Sequence, residues 1–165
     1  MHPTAGIRVQ YATRRAALQD VAELVNLMAQ FYAESGYPLD RQWAGHSFST
    51  LVGNPSLGTV WLVARGEVVI GHVVLTLRFS MEYGGTDAFI DDLFVRPEYR
   101  RQGAASAALH SVLAECRERE ALALHVEVGQ DNAAANALYS RFGLALGSDR
   151  RQTRTLVFGA QAPSA

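Results

Sequence analysis

Between residues 18 and 34, apolar side chains return every three or four positions: Leu18, Val21, Leu24, Val25, Met28, Phe31 and Tyr32. That spacing gathers them on one face and predicts a core-facing helix over about 16 to 34. Ser35-Gly36-Tyr37-Pro38 ends it, and a second helix is expected over about 41 to 52. Ahead of both, Ile7 to Ala12 reads as a first strand. The period then shortens. Thr59 to Ala64 and Val68 to Phe79 read as a hairpin joined by Arg65-Gly66-Glu67. Gly71, inside the longer strand, marks an expected bulge. Asp87 to Val95 is the next strand. A helix follows Gly103 to about Arg119, and Leu122 to Val128 alternates as another strand. Asp131 offers a cap to a helix over about 132 to 142, which Gly143 stops. Weaker strands are expected at 144 to 147 and 153 to 158, and the tail from Gly159 to Ala165 is expected to be flexible.

This order predicts one α/β (α+β) domain over 1–165, with an ordered core over about 6–158. Its centre is a mixed, twisted sheet of about six to seven strands with helices on both faces. The strand-turn-helix-strand unit from about 87 to 128 predicts a right-handed parallel crossover. Ligands of such sheets gather off the carboxyl ends of the strands, which directs attention to residues 91 to 103.

Composition narrows the function. The chain has 165 residues, 48% of them hydrophobic, and a formal net charge of −1. A core is affordable, and no global charge signals nucleic acid. No apolar run approaches the roughly 20 residues that cross a membrane, and the opening residues lack a secretory stretch. A cytoplasmic protein is expected. The single cysteine, Cys116, lies at helical spacing from Leu109, Val112 and Leu113, as a core residue would. His2, His46, His72, His110 and His125 show no metal-ligand spacing, so no metal is expected. Neither a Gly-x-Gly-x-x-Gly turn nor a Walker sequence is present.

Residues 90 to 109 carry the chemistry. An apolar strand enters a basic turn, and the turn enters a helix that opens on small residues. The first N–H groups of a helix lack partners and carry partial positive charge, which suits a phosphate. Gly103, Ala104 and Ala105 leave the approach open, and Arg100 and Arg101 flank it with Gln102. Upstream, Asp91 and Asp92 are candidate bases. Adjacent strand residues face opposite ways, so at most one is expected in a given cleft, and Asp91 shares its parity with Leu93 and Val95.

Arg100-x-x-Gly103-x-Ala105, after a strand ending Leu93-x-Val95, resembles the Arg/Gln-x-x-Gly-x-Gly/Ala signature of the GNAT acetyltransferase superfamily. Asn132-x-x-Ala135-x-x-Leu138-Tyr139, then Phe142-Gly143-Leu144, resembles the second signature of that family, with Leu144 in place of its usual Phe. The element order is similar along nearly the whole chain. The resemblance implies the GNAT fold and acetyl-CoA as cosubstrate. It places the pyrophosphate on Arg100, Arg101, Gln102, Gly103, Ala104 and Ala105, and the thioester beside Leu93, Phe94 and Val95. A backbone N–H near Leu93 or Phe94 would receive the oxyanion. Asn132 and Asn136 would lie along the cofactor, and Tyr139 would protonate the leaving thiolate.

Asp91-Asp92-x-x-Val95 is also similar to the Glu-Asp-x-x-Val stretch of spermidine/spermine acetyltransferases, whose first acid is the proton acceptor. That favours Asp91 over Asp92. Direct transfer is expected, without an acyl-enzyme on Cys116. The acceptor loops, about 33 to 48 and 79 to 87, hold Glu34, Asp40, Glu82 and Asp87 among Tyr37, Trp43, Phe79 and Tyr83. Acids among aromatics suit a small cationic amine. A protein lysine or N-terminus is the rival acceptor, and a non-catalytic acetyl-CoA-binding module the rival role. The family often dimerises. No nucleic acid or membrane partner is expected.

Overall fold

The computed structural model describes residues 10–147 and 154–158. Three long strands make its centre: β2 (Gly58–Arg65), β3 (Val68–Ser80) and β4 (Gly85–Val95). A short antiparallel edge strand, β1 (Ala12–Arg15), flanks β2, and β5 (Ala123–Val126) runs parallel to β4. The order is β1-β2-β3-β4-β5. Alternation along the strands sorts the core into two layers. Val60, Leu62, Val74 and Phe94 pack under α1 (Val21–Glu34) and α2 (Arg41–Gly53). Trp61, Val63, Val73 and Leu75 pack under α3 (Ala104–Glu118) and α4 (Ala133–Arg141). Helices therefore cover both faces, as expected.

Several expectations need correction. Among the described residues the sheet has five strands, not six or seven. Residues 144–147 and 154–158 form no strand. Leu146 and Phe158 are almost fully exposed, so neither stretch has the buried face that would fix a register. Residues 153 and 159–165, and Ile7 to Val9, lie outside the described residues. The first strand runs from Ala12 to Arg15 rather than ending at Ala12. Its pairing with β2 is joined by polar anchors, Arg14 on Asp20 and Arg15 on Glu115, that an apolar pattern does not reveal. Leu18 is exposed and sits in a 3₁₀ turn ahead of α1, outside the buried stripe.

The expected bulge is present. Val63 pairs with Gly71 and Ala64 with Val69, leaving Ile70 extra. A Cβ on Gly71 would lie 2.4 Å from the Phe94 carbonyl oxygen, so only glycine allows β4 to approach here.

Candidate active site

A second bulge lies opposite the first motif. Val74 pairs with Asp92 but Leu75 pairs with Ile90, so Asp91 is an extra residue in β4. On its other side, β4 is paired by β5 only from Asp87↔Ala123 to Ile90↔Val126. From Asp91 onward the two strands part. The Arg96 N–H donates to the Ile70 carbonyl at 2.8 Å, whereas the Val95 carbonyl accepts from Arg100 Nε at 2.7 Å. Main-chain groups alternate along a strand. The N–H groups of Leu93 and Val95 therefore point into the opening beside β5, and that of Phe94 points at β3. Of the two expected oxyanion donors, the geometry favours Leu93.

The bulge interrupts the alternation on which the parity of Asp91 rests. Asp92 shares the α1-covered face with Val74 and Phe94, while Asp91 is exposed at the mouth of the opening. Burial, then the charge of Asp91, pushes the Asp92 carboxyl up to about 6. Burial, then Glu127, also raises Asp91. Tyr32 of α1 is half-buried, and burial together with Asp92 and Asp91 raises its phenol. Glu127 escaped the sequence reading. The available signal was its place one residue past β5, next to the parted ends.

On the other face, Tyr139 is buried in the core cluster that holds Val95 and touches Leu93. Burial pushes its phenol up to about 12. Asp92 and Tyr139 thus lie on opposite layers of the sheet. Asn132, rather than Asp131, caps α4, its Oδ1 accepting from the Ala135 N–H at 3.1 Å. The Asn136 side chain donates to the carbonyls of Gly129 and Asn132 and shapes the loop leading into α4.

The basic turn has the form of an anion cradle. Arg101 and Gly103 take positive φ, 59° and 98°, and α3 begins at the next residue. Among the described residues, no hydrogen bond engages the N–H groups of 101 to 106. Converging free N–H groups at a helix start fit a group rich in anionic oxygens. Ala104 is buried, and Ala105 packs against the core. The Gln102 amide donates to the Glu98 carbonyl and accepts from the Tyr11 hydroxyl. A groove of about 470 Å³ runs beside the turn, lined by Tyr11, Gln102, Gly103, Ser106 and His110 among others. The two arginines differ. Arg101 is exposed and has no partner among the described residues. Arg100 is committed to Glu34 and to the Val95 carbonyl.

Three of the acids expected to face an amine are engaged elsewhere. Glu34 holds Arg100, Asp40 caps α2, and Asp87 is buried on Arg78. Among the described residues no three His, Cys, Asp or Glu side chains gather as metal ligands. No helix there is long and apolar enough to cross a membrane. Cys116 is buried in α3, and burial raises its thiol, which disfavours the thiolate a nucleophile needs.

Residues 18–144 match the model of the acetyltransferase (GNAT) family. A protein of Bacillus subtilis (strain 168), provisionally named ribosomal protein bS18-alanine N-acetyltransferase, is 35% identical over 150 residues, 90% of each chain. The structure of integron cassette protein HFX_CASS3, from the mobile metagenome of Cole Harbour Salt Marsh, is 40% identical with a TM-score of 0.81. That match covers 89% of this chain and 91% of the other. A predicted acetyltransferase of Clostridium acetobutylicum, solved with acetyl-CoA, shares the fold at a TM-score of 0.73 and 15% identity, over 88% and 96% of the two chains.

Proposed function

The chain belongs to the GNAT acetyltransferase family, and from that premise we infer that it acetylates a primary amine of low pKa, the N-terminal α-amine of a protein. It is an acetyl-CoA-dependent N-acetyltransferase.

The observation that carries the acceptor is the Asp92 carboxyl, held near 6 by burial beside the opening. An α-amine has a pKa of about 7.7–8.0, against about 10.4 for a lysine side chain. A base near 6 is therefore about two units from an α-ammonium and more than four from an alkylammonium. At neutral pH roughly one α-amine in ten is already neutral, so the site is matched to that nucleophile. The name of the Bacillus relative, with alanine as its acceptor residue, supports the same class.

Acetyl-CoA supplies an activated acyl group as a thioester. The free N–H groups of 101 to 105, with Arg101, would hold its pyrophosphate. The open edge at Leu93 and Val95 would pair with the amides of its arm. Asn132 and Asn136 support this wall from the start of α4. Asp92 accepts the ammonium proton, directly or through a water at Asp91. The amine nitrogen bonds to the acetyl carbon, and the Leu93 N–H donates to the oxygen as charge develops there. The C–S bond breaks, Tyr139 gives its proton to the departing sulfur, and the second proton of the nitrogen is released as the amide forms and restores the Tyr139 phenol. A phenol near 12 stays protonated at neutral pH and is available as that acid.

A small cationic amine is the second reading. It is favoured by the charges of Asp92 and Asp91 acting on Tyr32, and by that of Glu127 acting on Asp91. Turnover on alanine-initiated peptides, polyamines and lysine-containing blocked peptides, read by thiol release and by mass spectrometry of the product, separates the classes. Acetylation at the peptide N-terminus is expected. Turnover confined to polyamines, or to lysine side chains, would replace the α-amine reading.

A further inference from the structure

Arg100 stands in the position of the first signature residue, yet its guanidinium is turned away from the free N–H groups of the turn. Its Nε donates to the Val95 carbonyl at 2.7 Å. Its NH2 donates to both carboxylate oxygens of Glu34, at 2.6 and 2.9 Å. The guanidinium carbon lies 5.5 Å from the centre of the Phe94 ring. One side chain therefore touches three things: the parted stretch of β4, the entry to the cofactor turn, and the last residue of α1.

The end of α1 matters because of what precedes it. Tyr32, two residues before Glu34, feels the charges of Asp92 and Asp91. Phe31 packs on Phe94, with ring centres 5.7 Å apart. The helix ends at Glu34, and the segment 35–40 that follows leads to α2. At its other end α1 is tied to the same connecting segment by Arg96 and Glu23, at 2.8 Å. The stretch Arg96 to Arg100 thus grips α1 at both termini, while the N–H groups just beyond it face the anion site.

We propose that Arg100 is a positioning residue that couples the cofactor turn to the acceptor wall by pinning the end of α1, and Tyr32 with it, against the parted part of β4. This rests on the reading of residues 101 to 106 as the acetyl-CoA site and of Asp92 as its neighbour on the acceptor side. Cofactor binding orders the turn, Arg100 carries that order to Glu34, and Tyr32 closes over Asp92. Loosening Glu34 admits water to Asp92 and returns its carboxyl toward the ordinary range.

The pair is exposed by about two-fifths on each side, so its loss should spare the fold. The test uses the whole chain as wild type, Glu34→Ala and Arg100→Met. Hydrogen exchange of the amides of 33 to 37 is followed with and without CoA, which needs no acceptor. CoA should slow this exchange in wild type by about fivefold, the size of one well-formed charged contact, and should not do so in either variant. CoA affinity by calorimetry should change by less than about threefold in Glu34→Ala. With any amine that wild type acetylates, KM for the amine should rise about fivefold and the acidic limb of the pH profile should move to lower pH. Equal CoA protection in all three proteins would overturn the coupling. So would a loss of CoA affinity of tenfold or more in Arg100→Met with Glu34→Ala silent, which would make Arg100 a phosphate ligand. Failure of wild type to acetylate any α-amine would count against the acceptor assignment and leave the exchange result to judge Arg100.

Discussion

Ile90 faces Val126 in the last pair between β4 and β5, and the next residue of β4, Asp91, is the one that β3 skips. Both neighbours of β4 lose step at the same point. A bulge re-aims the side chains that follow it. Here it turns Asp92 toward α1 and leaves the Leu93 N–H on the open side.

The two acids should therefore separate on mutation. Asp92→Asn is expected to lower kcat by about 10²–10³, the range for loss of a positioned base. Asp91→Asn, at the exposed mouth, should cost less than about tenfold. The base works deprotonated, so kcat should be half-maximal near pH 6 and flatten about one unit above. Steady-state rates from pH 5 to 8 give both results. A larger loss in Asp91→Asn would restore the order that the sequence suggested.

Most of the elements were legible because buried faces have a period. The α1 stripe, the β2–β3 hairpin and the helix after Gly103 all lie near their expected bounds. The Gly71 bulge was legible too, since a glycine inside a strand is a visible anomaly. The Asp91 bulge was not. Asp91 and Asp92 are ordinary strand neighbours in sequence, and only the pairing with Val74 and Leu75 shows that one is extra. The engagement of Arg100 was equally hidden, because its partner Glu34 is 66 residues away. Helix and strand periods are local properties; ion pairs across layers are not.

Tyr139 should behave as an acid rather than as packing alone. Tyr139→Phe keeps the ring and its burial in the α3–α4 layer, and removes only the proton donor. We expect kcat to fall about 10²-fold with CoA affinity changed less than about threefold. With the phenol near 12, wild-type kcat should show no alkaline decline up to about pH 10. Single-turnover rates alongside calorimetry with CoA check this. An unchanged rate in Tyr139→Phe would remove the residue from the reaction.

Gly103 tests the anion cradle. Its φ of 98° is one that a side chain rarely adopts, yet a Cβ there would meet no heavy atom of the described residues within 4 Å. The cost of Gly103→Val is thus backbone strain, of about 1–3 kcal/mol, together with a methyl-bearing group beside the free N–H groups. CoA affinity should drop by tenfold or more, on the order of 1.4 kcal/mol. The melting temperature should fall less than it does for a core cavity of similar size. Calorimetry with CoA and thermal unfolding of the same samples distinguish the two effects.

His72 gives the stability of this protein an acid edge. The ring is fully buried between Phe48 and Phe94, and neither nitrogen has a partner among the described residues. Burial lowers it from 6.5 to about 4, so the folded chain keeps it neutral where the unfolded chain takes a proton. A histidine lowered in this way contributes no penalty above pH 6.5. Its cost grows as pH falls, by at most about 1.4 kcal/mol per unit, and stops growing near pH 4. The total is on the order of 3 kcal/mol. His72→Leu removes both the unpaired nitrogens and the titration. It should be more stable than wild type at pH 7 by about 1–3 kcal/mol, and the gap should widen between pH 6.5 and pH 4. Asp92 titrates in both proteins, so the difference in urea midpoints isolates His72. A gap that stays constant over that interval would mean the ring is reached by water.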